Sequence, residues 1–200
     1  MLNTLYLLFS EFYKDIMNIE LKEIVDIKFG FQGQPDANGD VAYLQVKQFN
    51  DDGILINDID EKIKVTEKAE THLLQRWDVL FVAKGNRLFA WCYADDSIPA
   101  IASSSFFVLR PKNRNVDSNY LAAILNAPQY RNALLQLGGG SNILSIRKPE
   151  LGSFEIPLIA MEKQKLVAKI AALHESEVAI RKRIIERKQD IYKSFISNIT

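Results

Sequence analysis

Short apolar runs separated by turn residues fill the chain from Leu21 to about Leu109, after which the periodicity becomes helical. The runs Val41–Val46, Gly53–Ile56, Asp78–Val82, Leu88–Tyr93 and Ser105–Leu109 predict strands. Between them lie Pro35-Asp36-Ala37-Asn38-Gly39-Asp40, Asn50-Asp51-Asp52-Gly53 and Lys84-Gly85-Asn86, whose residue types favour turns. Asp117-Ser118 can cap a helix reaching Leu125, and Pro128 can open another that runs to about Leu137. Gly138-Gly139-Gly140-Ser141-Asn142 then reads as a loop, and Ser153–Ile156 as a strand that stops at Pro157.

Neither glycine nor proline occurs between 158 and 200, and the segment is rich in Lys, Glu, Ile, Ala and Arg. This predicts one helix over 161–197, about 37 residues and on the order of 55 Å long at ~1.5 Å per residue. Its apolar stripe follows a heptad: Leu166, Ile170, Leu173, Ile180, Ile184 and Ile191 alternate spacings of four and three, with Glu177 and Arg187 filling the gaps. A solitary helix would leave this stripe in water, so a partner helix is expected.

The resulting fold class is α+β: a globular domain with a mixed sheet and flanking helices, followed by one long coiled-coil helix. Three segments are expected: 1–20 as an N-terminal helical extension, 21–157 as the globular domain, and 158–200 as a helix for dimerisation and spacing. The apolar stretch Leu2–Phe9 is short, has no basic residue before it and meets Glu11, Lys14 and Asp15 at once. It therefore reads as neither a membrane span nor a signal peptide. The single cysteine, Cys92, fits a reducing compartment, so a cytoplasmic location is expected. His72 and His174 have no metal-ligand spacing, and no metal site is expected.

The formal net charge is zero, but its distribution is uneven. Residues 1–83 carry 8 basic and 15 acidic side chains, a balance of −7; residues 84–148 carry 8 and 3, or +5; the remainder carries 9 and 7, or +2. Phosphate binding needs local positive potential rather than a positive total, so the middle segment can meet nucleic acid.

Catalytic chemistry finds little support. Pro35-Asp36 with Asp60-Glu61-Lys62 imitates the carboxylate–lysine set of metal-dependent nucleases, but Asp36 sits in a turn-forming run and Asp60 in a stretch dense with acids. Asn126-Ala127-Pro128-Gln129-Tyr130 departs from the amino-methyltransferase motif at Ala127, and no glycine-rich cofactor turn follows a strand. The triple glycine lacks the Lys-Ser/Thr ending of a nucleotide-binding loop, and neither histidine has a nucleophile partner.

The order of several segments, taken together, resembles one half of a type I restriction–modification DNA specificity subunit, over about residues 21–200. They are Gly39-Asp40-Val41-Ala42-Tyr43-Leu44; Leu74-Gln75-Arg76-Trp77-Asp78-Val79-Leu80; Ala102–Pro111 with its Phe-Val-Leu-Arg-Pro ending; and Tyr120-Leu121. Most diagnostic is Gly139-Gly140-Ser141-Asn142-Ile143-Leu144-Ser145-Ile146, then Leu151 and Phe154-Glu155-Ile156-Pro157, leading to Glu162-Lys163-Gln164 at the helix start. Two departures stand out: Trp77 occupies a position where the family often has glycine, and Lys163 splits the commoner Glu-Gln pair.

The resemblance implies a non-catalytic subunit that reads double-stranded DNA and directs methyltransferase and restriction subunits. S-adenosylmethionine, ATP and Mg²⁺ would then belong to those partners, with no cofactor in this chain. Family members usually carry two recognition domains and two antiparallel helices. One of each here implies a half-subunit that pairs, either with a second copy or with another specificity chain. The rival reading is an adaptor that bridges partners through its helix without specific DNA binding.

Loop position and side-chain chemistry nominate Gln32, Gln34, Lys84, Asn86, Arg87, Ser141, Asn142, Arg147 and Lys148 for DNA contact. Gln and Asn can pair bidentately with adenine, Arg with guanine, and Lys with phosphate. For the helix pair, Leu173, Glu177, Ile180, Ile184, Arg187 and Ile191 form the expected contact line, with a two-fold axis near Lys182.

Overall fold

The computed structural model describes residues 16–51, 53–56, 61–95, 97–138 and 144–197, with the backbone alone at Leu144. Four strands form the central sheet: β2 (Val25–Phe29), β9 (Phe106–Pro111), β5 (Val79–Val82) and β7 (Ala90–Cys92), in the order β2-β9-β5-β7 and antiparallel throughout. A smaller sheet of β4 (Lys62–Ile63), β3 (Val41–Leu44) and β8 (Ala100–Ala102) is mixed, with β3 parallel to β8 and antiparallel to β4. Two further pairs complete the set: β1 (Met17–Glu20) with β11 (Glu155–Leu158), and β6 (Lys84–Gly85) with β10 (Leu144–Ser145).

Side chains that alternate along a strand explain how the sheets stack. In β5, Val79 and Phe81 join one core while Leu80 and Val82 join another; in β9, Phe107 and Leu109 divide from Phe106 and Val108 in the same way. The first core lies under α1 (Leu21–Ile24), α3 (Ser118–Asn126), α4 (Pro128–Leu137) and α5 (Lys148–Gly152), through residues such as Leu21, Leu121, Leu134 and Leu151. The second lies against the smaller sheet, through Ala42, Leu44, Ala100 and Ala102. Beyond that sheet a third cluster joins Val41, Tyr43, Ile63 and Ile101 to Ala69 of α2 (Glu67–Glu70). Burial on both faces is why β5 and β9 read as continuous apolar runs rather than alternating ones.

The helices form where their caps predict. The Asp117 side chain accepts from Tyr120 N at 2.9 Å, and Pro128 opens α4. Asn126, the residue that suggested a methyltransferase motif, instead pairs with the edge strand β7. Its Oδ1 accepts from Ala90 N at 2.8 Å and its Nδ2 donates to Ala90 O at 2.9 Å, so a side chain blunts the sheet edge.

The final helix, α6, spans Met161–Ser197, 37 residues. Gln164, only 1% exposed, fastens its first turn: Oε1 accepts from Asp117 N at 2.8 Å, while Nε2 donates to Asn115 O (2.9 Å) and Ile159 O (2.7 Å). Ala168, Ala171 and Ala172 then line a cleft against Asn119, Ala122 and Ala123 of α3. Small residues on this face let the helix lie close to the domain, while the heptad stripe stays outside. Ile180 and Ile184 are 57% and 48% exposed, and Leu173 and Ile191 are also open to solvent.

Three local expectations are corrected. The helix expected over 1–20 gives way to strand over Met17–Glu20, because β11 supplies a ladder in which Met17 faces Leu158 and Glu20 faces Glu155; residues 1–15 lie outside the described residues. The strand-like pattern from Leu21 begins as the one-turn helix α1 before β2. Pro157 does not end its strand but lies within β11, where a two-stranded ribbon tolerates a residue without an N–H.

Candidate nucleic-acid interface

Connections at one end of the central sheet gather most of the nominated residues. β2 and β5 finish at this end, where β9 and β7 begin, as the pairs Phe29↔Phe107, Val82↔Phe106 and Phe81↔Ala90 show. The loop carrying Gln32 and Gln34 leaves from β2, and the segment carrying Lys84, Asn86 and Arg87 leaves from β5. Ile146 N donates to Ala83 O at 3.0 Å, and Lys84 pairs with Ser145, which brings the stretch before Arg147 and Lys148 to the same place. The Lys148 ammonium lies 5.9 Å from the centroid of the Phe29 ring, so the end of β2 meets the start of α5.

Backbone anchors hold these loops while leaving their side chains outside. Gly30 lies so close to the Ser103 carbonyl that a Cβ there would fall 2.0 Å from its oxygen. Tyr43 donates its hydroxyl to Phe31 O at 2.9 Å and accepts from Gly33 N at 3.3 Å. Gln32 and Gln34 consequently project from a fixed backbone and are exposed. Gly85 has φ 131° within the β6 turn, a conformation suited to glycine, and Lys84 and Asn86 on either side are exposed.

Both nominated arginines have partners in their own chain, Arg87 half-buried and Arg147 at the surface. Arg87 donates from Nη1 to Phe49 O (2.6 Å) and from Nη2 to Val46 O (2.9 Å), clamping the 3-10 turn Val46–Gln48, with Asp51 3.6 Å away. Two of its five N–H donors are thus held by carbonyls of its own chain. Arg147 pairs with Glu150, donating from Nε at 2.8 Å, while Glu150 also accepts from Arg147 N at 2.9 Å. That hydrogen-bonded guanidinium holds the Glu150 carboxyl below the ordinary carboxylate range. The positive balance of 84–148 is thus partly internal. Arg110 likewise turns inward, reaching the buried Asp78 with Nε at 2.8 Å and Nη2 at 2.7 Å.

Gln32, Gln34, Lys84, Asn86, Arg147 and Lys148 form the exposed polar set at this end, with the Arg147 side chain 79% exposed beside Glu150. Ser141 and Asn142 lie outside the described residues. Sequence reasoning missed Phe29, an aromatic ring 55% exposed beside Lys148.

The residues that suggested a nuclease do other work. Asp36 accepts from Asn38 N at 2.9 Å in its turn and lies 3.5 Å from Lys64, while Glu61 pairs with Lys47 at 2.5 Å; Asp60 lies outside the described residues. Among the described residues no three His, Cys, Asp or Glu side chains are grouped to hold a metal ion. Nor is any described helix long and apolar enough to cross a membrane.

The fold is similar to that of restriction-system specificity subunits of known structure. The S subunit of a type I restriction–modification system from M. genitalium matches with a TM-score of 0.56 at 16% identity, covering 86% of this chain and 42% of that one. The HsdS subunit from Thermoanaerobacter tengcongensis matches at 0.59 and 16%, covering 86% and 40%. A chain from a structure describing complex assembly and conformational transition of the type I R-M system matches at 0.58 and 20%, covering 86% and 41%. This chain thus spans about two fifths of each. It belongs to the type I restriction modification DNA specificity domain family, whose profile matches residues 13–187.

Proposed function

We propose that this chain reads one half of a bipartite DNA site and directs methyltransferase subunits, and a restriction subunit where one is present, to it. The observation that carries this reading is the convergence at one sheet end of three polar segments, each on an anchored backbone, within a chain of the specificity family. Gln32, Gln34, Asn86, Ser141 and Asn142 would contact base edges; Lys84 and Lys148 would hold phosphates. S-adenosylmethionine and ATP with Mg²⁺ would be bound by the partner subunits.

Two copies would pair antiparallel through α6. In such a pair each a position faces a d position, so an axis near Lys182 sets Ile180 against Ile184, Leu173 against Ile191, and Glu177 against Arg187. The stripe is solvent-exposed in the single chain, which supports a partner helix on that side. Glu177 already meets Arg181 of its own helix at 2.5 Å, so on pairing it would be shared between Arg181 and the second copy's Arg187. The charges would then fix the register more than they add stability. A two-fold dimer presents two recognition domains in inverted orientation and should read an inverted repeat with a fixed spacer.

Reconstitution tests this directly. A type I methyltransferase subunit should methylate adenines within one bipartite motif only when this chain is added. Methylation independent of the chain, or without a motif, would contradict the proposal.

A further inference from the structure

Along the outer edge of β2 runs a cleft of about 680 Å³ that none of the nominated residues except Lys148 touches. Its lining includes Lys22, Lys28, Lys112 and Lys148, with Asp26 the one carboxylate among them. Among the described residues β2 pairs with β9 alone, so this side of the strand faces the cleft rather than another strand. The four lysines come from α1, from β2, from just after β9 and from α5, and only the fold puts them together.

The side chains are held in two ways. Lys112 donates to Lys22 O at 2.5 Å and lies 3.9 Å from Asp26, while Lys22 pairs with Glu20 at 2.5 Å. These two lysines are placed and partly neutralised. No ion pair joins Lys28 or Lys148 to a carboxylate among the described residues, and both are exposed. Lys148 sits against Phe29, where the cleft meets the loop surface described above.

Resting on the DNA-reading proposal, we infer that this cleft binds the phosphate backbone of DNA beside the recognised bases. Lysine suits this task because its ammonium is a compact charge on a flexible stem, able to meet a phosphate without demanding a fixed geometry. The cleft sets the position of the duplex and carries no base preference of its own.

Fluorescence anisotropy of the full chain with labelled random-sequence duplex, over a salt series, tests the inference. Lys28→Gln with Lys148→Gln should weaken binding and lower the slope of log affinity against log salt by about 1.8, at ~0.9 per lost contact. The loss should be equal on the selected motif and on random duplex, and Lys68→Gln on α2 should leave the slope unchanged. An unchanged slope in the double variant, with the parent protein still binding, overturns the cleft assignment alone. Retained DNA binding with lost capture of the methyltransferase subunit would also overturn it, by assigning the lysines to an acidic protein surface. Failure of the parent protein to bind any duplex overturns the DNA-reading proposal as well.

Discussion

Gln164 in the first turn of α6 accepts a hydrogen bond from the backbone N–H of Asp117, the residue whose side chain caps α3. One buried amide thereby joins the long helix to the domain, and its Nε2 satisfies two further carbonyls. Gln164→Ala would strand an N–H and two C=O groups away from water, and a destabilisation of about 1–3 kcal/mol is expected in urea unfolding. Gln164→Glu should be at least as damaging, because a carboxylate would face the carbonyls of Asn115 and Ile159. Wild-type midpoints for both variants would show that the amide does not hold the junction.

Trp77 has φ 74°, in the left-handed region that side chains with a Cβ enter only at a cost. Its place in the fold accounts for that backbone: Trp77 N donates to Tyr93 O at 2.8 Å, and Trp77 O accepts from Ser118 Oγ at 2.6 Å. Trp77→Gly and Trp77→Ala both remove the indole and its contact with Arg76, but only glycine relieves the backbone. Thermal unfolding should rank the glycine variant above the alanine variant by about 1 kcal/mol. The reverse order would mean that φ imposes no strain.

These two positions also mark what can be read from the chain. The long helix was legible because glycine and proline vanish after 158, and α3 and α4 because Asp117 and Pro128 are cap residues. Strands β6 and β10 were not, since two residues each carry no periodicity and form only because Lys84 meets Ser145. The nominated loops were found from composition, and the fold brings those among the described residues together. Composition could not separate Arg87, whose guanidinium clamps a turn, from Lys84, whose side chain is exposed. The lysine cleft escaped notice for a related reason. Lys22 and Lys28 belong to the acidic segment 1–83 and join Lys112 and Lys148 only in three dimensions.

Burial pushes the Cys92 thiol up to about 12, with the Asp117 and Asp78 carboxylates adding to the effect. A raised thiol stays protonated in the folded state, and the thiolate is the reactive form. At pH 8 the folded protein should resist Ellman's reagent, and reaction should become complete in urea. Folding stability from this group should be lost only as pH rises above the thiol's unfolded value. Rapid reaction of the native protein would contradict the burial of this side chain.

Single cysteines in a Cys92→Ser background map the helix pair. Mixing Ile180→Cys with Ile184→Cys chains should give a disulfide between chains, because an axis near Lys182 places these positions opposite one another. Strong 180–180 linkage with no 180–184 product would show a parallel dimer. No linkage together with a monomeric mass would contradict the homodimer.

Sequence selection is the most direct measurement of the central claim, that this chain is a paired half-subunit reading DNA. Duplexes bound from a random pool by the purified chain, with the methyltransferase subunit present, should converge on an inverted repeat of two short elements at one fixed spacing. A single unrepeated element, variable spacing, or salt-sensitive binding with no enriched sequence would contradict it.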